Sequence, residues 1–392
     1  MKIVIKPKIK NFICTTSHPS GCEKNIKEYI SYIKNLYINK SYANKNALII
    51  GSSAGYGLLT RLVLTFGYKY NTIGIFNEKK PHKEKTATPG WYNTAFLENE
   101  AKKQNIYTHS LNADAFSNNT INQIIQLLKN NIQKIDILIY SIATSKYIDE
   151  NTQKIYKTAL KPINDNITTK TLNIEKKIIT NINVNKANNE EIENTQKIMG
   201  GYLWEKWITR LQKNNLINEN FKTIAYSYNG PQITHHIYKN GTIGLAKKHL
   251  NKTAKNLNNI LKKYNGKAFI SFNEAIITQA SMAIPSVSLY IAILNTIKKT
   301  KNINENSIDH IKNLFDNIEN EKNILINLDK TEMRNDIQQN ISYIWNLIST
   351  DNMKKYINVN DLVNSYLKIY GFNHNDVDYN IKTDTVVDNH IN

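Results

Sequence analysis

Ala47-Leu-Ile-Ile-Gly-Ser-Ser-Ala-Gly-Tyr-Gly57 is the stretch that decides the fold: a short apolar run enters a glycine-rich turn, and helix-forming sequence follows to about Phe66. An apolar run with no polar alternation reads as a strand covered on both faces, as in parallel sheets. Outward from it, strand and helix keep alternating. Thr72–Phe76 is a second buried strand, Asn105–Ser110 a third, Ile135–Tyr140 a fourth and Lys222–Ser227 a fifth, and Ala268–Phe272 begins a sixth. The segments between them suit right-handed helical crossovers, which join parallel strands. The expected fold is α/β, a Rossmann-type parallel sheet flanked by helices.

Two regions depart from simple alternation within what reads as a single domain over residues 1–392. Residues of about 145–200 are too long for one crossover and read as an inserted flap. In it, Thr168–Val184 alternates like a hairpin and Asn188–Met199 looks helical. Residues of about 300–373 form a polar helical extension, with a less ordered tail expected after Asn373. Ala275–Thr296 carries no charge, but Gln279, Pro285, Ser286 and Ser288 interrupt it. A strand, a loop and a buried helix fit it better than a membrane span.

Composition narrows the function classes. Two cysteines, Cys14 and Cys22, exclude a disulfide scaffold and lack partners at zinc spacing, which suits a reduced, cytoplasmic setting. Residues 1–19 alternate Lys with Ile or Val and contain no apolar core of a signal peptide. The net charge of +19 raises nucleic acid as a partner, yet arginine stands only at 61, 210 and 334. Base readers rely on the arginine fork. The lysine excess reads instead as a solvated face suited to an acidic protein or an anionic substrate.

The turn Gly51-Ser52-Ser53-Ala54-Gly55-Tyr56-Gly57 is close to the short-chain-reductase version of the dinucleotide fingerprint. Gly51 permits the sharp turn, Gly55 lets backbone approach a pyrophosphate, and Gly57 allows helix-on-strand packing. The helix start then offers free N–H groups and a favourable dipole to phosphate. Glu78, just past the second strand, stands where a carboxylate accepts from the adenosine ribose hydroxyls and repels a 2′-phosphate. It favours NADH, although Lys79 and Lys80 follow at once. Asp114 and Ala115 after the third strand, and Ile142 and Ala143 after the fourth, also fall at strand carboxyl ends, where such ligands lie.

After the fifth strand comes Thr234-His-His-Ile-Tyr238-Lys-Asn-Gly-Thr-Ile-Gly-Leu-Ala-Lys247-Lys248. At about 100° per residue, Tyr238 and Lys247 would lie on opposite faces of one continuous helix. Asn240-Gly241-Thr242 is a turn-and-cap signal, so the helix is expected to start there, with Lys247 pointing back toward Tyr238. A tyrosine working near neutral pH needs such a cation to lower its pKa. On spacing alone, the pair competes with an ordinary packed aromatic and a surface lysine in a chain of 23 tyrosines. His235 and His236 read as turn residues, with no metal-ligand cluster beside them.

Together with TPGWYN at 88–93, NADAF at 112–116, YSIA at 140–143, MGG at 199–201, ITHHIYKNGTIGLAKK at 233–248, TQASMAIP at 278–285 and YLKIYGF at 366–372, these motifs resemble the FabV-type trans-2-enoyl-acyl-carrier-protein reductases. The resemblance runs in order over nearly the whole chain. It implies a monomeric, NADH-dependent enzyme that reduces the 2,3 double bond of enoyl thioesters in type II fatty-acid synthesis. With that substrate in view, the lysine-rich surface is expected to attract an acidic acyl carrier protein, and the interrupted 275–296 stretch leaves no stable membrane insertion expected. Tyr238 falls on the family's proton donor, Lys247 on its cofactor lysine and Tyr228 on a substrate-contacting tyrosine; Lys248 matches a second lysine beside the site. Ala275, Ile276, Ile277 and Thr278 fall on a segment that touches the nicotinamide half, and Asn77 stands beside Glu78 where the family carries an aromatic. Further departures are Tyr202 and Leu203 after the MGG, Lys239 beside Tyr238, and Thr144–Tyr147. The rival readings are another NAD(P)H-dependent short-chain reductase acting on a keto-thioester, and a non-enzymatic basic binding protein on a Rossmann scaffold.

Overall fold

Along Asn46–Ile50 every residue is buried, yet neighbours serve different layers: Leu48 and Ile50 join one core, Ala47 and Ile49 another. Successive side chains of a strand point to opposite faces, so an uninterrupted apolar run requires cover on both sides. The computed structural model, which describes residues 2–36, 45–389 and 391, supplies that cover.

The central strands are β1 Asn46–Ile50, β2 Asn71–Phe76, β3 Thr108–Asn112, β4 Ile135–Tyr140, β5 Ile217–Ser227, β6 Lys267–Phe272 and β7 Leu325–Asn327. They form one sheet in the order β7-β6-β5-β4-β1-β2-β3, every pair parallel. The Rossmann-type expectation holds. The third strand begins later than expected because Asn105 takes a left-handed φ of 55° in the turn that closes the preceding helix. The three-residue β7 was not anticipated; Leu325 at its start is exposed, so it shows little of a buried strand's pattern.

Helices α1 Pro19–Asn35, α2 Gly55–Leu62, α3 Pro89–Lys103, α4 Asn118–Leu127, α5 Asn189–Met199, α6 Tyr202–Lys213, α7 Thr242–Leu261, α8 Val287–Thr300, α9 Ser307–Asn317, α10 Asn335–Leu347 and α11 Val359–Ile369 complete the frame. On one face of the sheet α4, α6 and α7 contribute Ile124, Trp204, Trp207 and Leu257. On the other, α1, α2 and α9 contribute Ile26, Leu62 and Ile311. A third core gathers α8, α10 and α11 with Leu172, Ile237 and Tyr238.

Within the inserted region, Ile167–Asn173 and Ile178–Val184 pair as the expected antiparallel hairpin. A second, unanticipated hairpin joins Lys146–Ile148 to Ile155–Lys157. α5 opens with a capping box, Asn188 accepting from the Glu191 N–H and Glu191 from the Asn188 N–H. The tail is not the loose end expected: Lys382–Asp384 pairs with Lys2–Val4, and the buried Tyr92 hydroxyl donates to the Thr385 carbonyl at 2.7 Å. Among the described residues, no helix is long and apolar enough to cross a membrane.

Candidate functional site

The strand order reverses between β1 and β4, so the chain leaves their carboxyl ends toward opposite faces and opens a crevice there. Gly51 sits at the lip with φ +87°, and a Cβ on it would stand 2.1 Å from the Ser141 carbonyl oxygen. Gly57 packs so tightly that its Cβ would stand 1.9 Å from the Gly51 oxygen. Gly55, at φ +53°, faces Thr278 Cγ2 and Ile276 Cδ1, which its Cβ would approach to 3.3 and 3.9 Å. The glycine turn and the 275–278 segment are therefore opposite walls of one crevice. The first N–H groups of α2 point out of the helix there without intrahelical partners, as a phosphate requires. Ala54 is the exposed N-cap. Ser52 Oγ donates to the Ile75 carbonyl, and the Tyr56 hydroxyl to the Glu274 carbonyl. That leaves Tyr56 its backbone to offer a ligand.

Glu78 follows β2 and is held from three sides. Its N–H donates to Asn112 Oδ1 at 2.8 Å, and its carbonyl accepts from Asn112 Nδ2 at 3.0 Å. Its carboxylate accepts from Ser53 Oγ at 2.7 Å. Burial raises the carboxyl pKa, with hydrogen bonds from Thr88 and Ser53 opposing. A Cβ on Gly90, at the start of α3, would come 2.1 Å from Glu78 Oε1, so only glycine leaves the carboxylate its place. Asn77 is exposed beside it. Asp114 is exposed too, and accepts from the Phe116 N–H at 3.0 Å. Ala115 is buried, its carbonyl taken by the Trp207 indole N–H at 3.1 Å. Ile142 and Ala143 continue past β4, where Ser141 N–H donates to the Ile50 carbonyl at 2.8 Å.

Past β5 the chain turns at Gly230, makes one helical turn over His235–Tyr238, breaks, and restarts as α7 with Gly241 as N-cap. The break is the expected one, and it brings Tyr238 and Lys247 to the same side. Lys247 Nζ lies 6.0 Å from the Tyr238 ring centroid and donates to Ser227 Oγ at 3.1 Å. Lys248 is exposed. Tyr228 meets Tyr238 edge to face, with centroids 4.9 Å apart.

One electrostatic expectation fails. Burial drives the Tyr238 pKa up, with the Glu332 charge adding to it, and lowers Lys247 to about 7. The same dry surroundings disfavour the charge on the lysine, which opposes the acidification of the tyrosine that the sequence leads one to expect. Tyr238 therefore keeps its proton, the state a donor needs. Burial likewise lowers the His235 and His236 pKa values, and no group of His, Cys, Asp or Glu among the described residues is arranged to hold a metal.

Several participants escaped the sequence reading. Ser227 reads in the sequence only as the end of a strand. Gly90 and Asn112 lie inside two of the quoted motifs, TPGWYN and NADAF, but nothing in the motifs says that they hold Glu78. Glu332, in the polar C-terminal region, gave no signal at all. It is fully buried, and its Oε1 accepts from the Tyr228 hydroxyl at 2.7 Å and the Tyr290 hydroxyl at 2.6 Å. Its Oε2 accepts from the Ala275 N–H at 2.7 Å.

Comparison with known proteins gives concordant matches. The profile described as the trans-2-enoyl-CoA reductase catalytic region matches residues 85–318, and that of the NAD(P)H binding domain of trans-2-enoyl-CoA reductase matches residues 4–83. A third, described as an enoyl reductase FAD binding domain, matches residues 320–382. The chain is 40% identical to an NADH enoyl-acyl-carrier-protein reductase of Flavobacterium johnsoniae, covering 98% of each. It is 38% identical to an NADH trans-2-enoyl-CoA reductase of Ruminiclostridium cellulolyticum, again over 98% of each. The crystal structure of Clostridium acetobutulicum trans-2-enoyl-CoA reductase with NADH superposes with a TM-score of 0.93 at 35% identity, covering 98% of both chains. Residues 320–382 do not fit a flavin. Their one glycine, Gly371, is closed against α1, where its Cβ would stand 2.4 Å from the His18 carbonyl oxygen. No glycine turn follows β7 to cradle a pyrophosphate. The crevice at Gly51–Gly57 does fit a dinucleotide, since side chains at Gly51 and Gly57 would collide with backbone and Gly55 is left facing the opposite wall.

Proposed function

The chain belongs to the trans-2-enoyl-CoA reductase family, and from that premise we propose that it reduces the 2,3 double bond of an enoyl thioester with NADH. The observation that carries the reading is the meeting of Tyr238 and Lys247 beside the glycine crevice, with Ser227 tying the lysine to the end of β5. NADH, when bound, supplies the hydride that adds to Cβ of the substrate. The N-terminus of α2 and the turn at Gly51–Tyr56 hold its pyrophosphate, and Glu78 accepts from the adenosine ribose hydroxyls. Asn77, Asp114, Ala115, Ile142 and Ala143 line the adenosine side through the strand ends. Ala275–Thr278, on the opposite wall from Gly55, would cover the other half, and Lys247 would hold the second ribose.

As the double bond is reduced, negative charge gathers on the thioester oxygen. Tyr238, which carries its proton at neutral pH, donates to that oxygen and stabilises the enolate in a site poor in water. Lys247 anchors Tyr238 and cofactor at once, and Tyr228 backs the Tyr238 ring. The uncharged segment from Thr278 into α8 covers the acyl chain. The protein works as a cytoplasmic monomer in fatty-acid synthesis and takes its substrate from an acidic acyl carrier protein. The direct test mixes purified protein with NADH and crotonyl-CoA and follows NADH absorbance. Substrate-dependent loss of absorbance supports the reading; NADH binding without turnover, or no NADH binding at all, removes it.

A further inference from the structure

We infer that Glu332 is a positioning residue that sets which way the Tyr228 hydroxyl proton points, and so whether Tyr228 helps Tyr238 hold the developing oxyanion. The inference rests on the enoyl-reductase reading above.

The geometry around Glu332 is specific. A hydroxyl carries one proton, and both the Tyr228 and Tyr290 hydroxyls direct theirs at Glu332 Oε1. While Glu332 is ionised it accepts only, so Tyr228 is turned away from the crevice as a donor. When Glu332 is neutral, its own O–H donates to one of the two tyrosine oxygens. Gln338 Nε2 already donates to the Tyr290 oxygen at 3.1 Å, which keeps the Tyr290 proton on the glutamate side. The Tyr290 hydroxyl lies within hydrogen-bonding reach of Tyr228, but its proton is held on the glutamate, so the glutamate proton goes to the Tyr228 oxygen. The Tyr228 proton is then free to point at the substrate, next to Tyr238. Neutralising Glu332 takes up one proton from solvent, and ionising it returns that proton; the turn of the Tyr228 hydroxyl itself moves no further proton.

The surroundings place the change at a useful pH. Burial raises Glu332 to about 7. The groups that face it are Tyr228 past β5, Tyr238 just before α7, Tyr290 on α8, Tyr56 on α2 and Glu274 in the loop after β6. Glu274 Oε1 accepts the Glu332 N–H at 3.2 Å, and its Oε2 is paired with Lys298 Nζ at 2.7 Å. The Glu274 charge adds to the rise, whereas the tyrosine hydroxyls and the Ala275 N–H oppose it.

The test is the pH profile of kcat at saturating NADH and crotonyl-CoA between pH 6 and 8.5, each variant read relative to the Lys247 titration that wild type and variants share. Wild type should lose activity as pH rises through about 7, by roughly tenfold. Glu332→Gln, which cannot ionise, should vary by less than about twofold over the same range, with its Kd for NADH within about twofold of wild type. In a Tyr228→Phe background the decline should vanish, and adding Glu332→Gln should change nothing more. Should Glu332→Gln fail to fold, Tyr290→Phe serves instead: it removes one donor from the carboxylate, so the decline must move to higher pH. A decline that survives in Glu332→Gln, persists in Tyr228→Phe or stays put in Tyr290→Phe overturns the inference. Wild type inert toward crotonyl-CoA removes the enoyl-reductase reading, and this inference with it.

Discussion

At the scale of single residues, the crevice works by drying its own groups. Tyr238 is 7% exposed and holds its proton, while Lys247 sits near neutrality at about pH 7. Tyr238→Phe should lower turnover at least about a hundredfold, the scale of one positioned acid, while NADH still binds. Retention of near-normal turnover there, with Tyr228→Phe inactive, would transfer the role to Tyr228. Lys247→Met should weaken both NADH binding and turnover, whereas Lys248→Ala should leave NADH affinity within about twofold. Lys247 also carries a pH signature in the unliganded protein. Its folded pKa lies below its unfolded one, so its contribution to stability is intact above the unfolded value and is lost as pH falls through about 7. Lys247→Met should therefore gain Tm relative to wild type as pH falls from 10 to 7, by several degrees. A pH-independent difference would mean that the lysine stays charged in the fold.

At the scale of elements, the proposed cofactor wall is assembled from strand ends that check one another. Glu78 is fixed by Ser53 after β1, Asn112 at the end of β3 and the gap at Gly90 on α3. Gly90→Ala should push the carboxylate aside and weaken NADH binding about tenfold, roughly 1.4 kcal/mol, with little change in fold. Glu78→Gln should instead narrow the preference for NADH over NADPH, mainly by improving NADPH. If Gly90→Ala binds NADH normally, Glu78 does not touch the ribose. This layering also shows what the sequence could disclose. β1, the glycine turn and the break at Asn240–Thr242 announce themselves because each is local: hydrophobic run, left-handed φ, cap. Ser227 and Gly90 act through partners 20 and 12 residues away, Lys247 and Glu78, and Glu332 acts 104 residues from Tyr228. No periodicity encodes such pairings. The tail is silent in the sequence for the same reason: Lys382–Asp384 is polar, and its order comes from a strand at the other end of the chain.

At the scale of the whole molecule, the question is what a net charge of +19 does. Arginine would be the residue for reading nucleic acid, and its three copies are committed elsewhere. Arg61 is buried against Glu98 and Ser110, Arg210 reaches Asn122, and Arg334 grips Asp336 through two hydrogen bonds. The charge that remains is lysine spread over the surface, which acts at long range rather than by shaped contact. Such a field speeds encounter with an acidic carrier and fades as salt shortens the screening length, about 10 Å at 0.1 M and about 3 Å at 1 M. A thioester on an acyl carrier protein should therefore lose kcat/KM as ionic strength rises, while the N-acetylcysteamine thioester of the same acyl chain should scarcely respond. The pairing matters because the two substrates share Tyr238, Lys247 and the cofactor, so any effect of salt on the chemistry cancels in their ratio. If the ratio is independent of salt, the lysines are only a solvated surface and the carrier, if it binds, docks by other contacts.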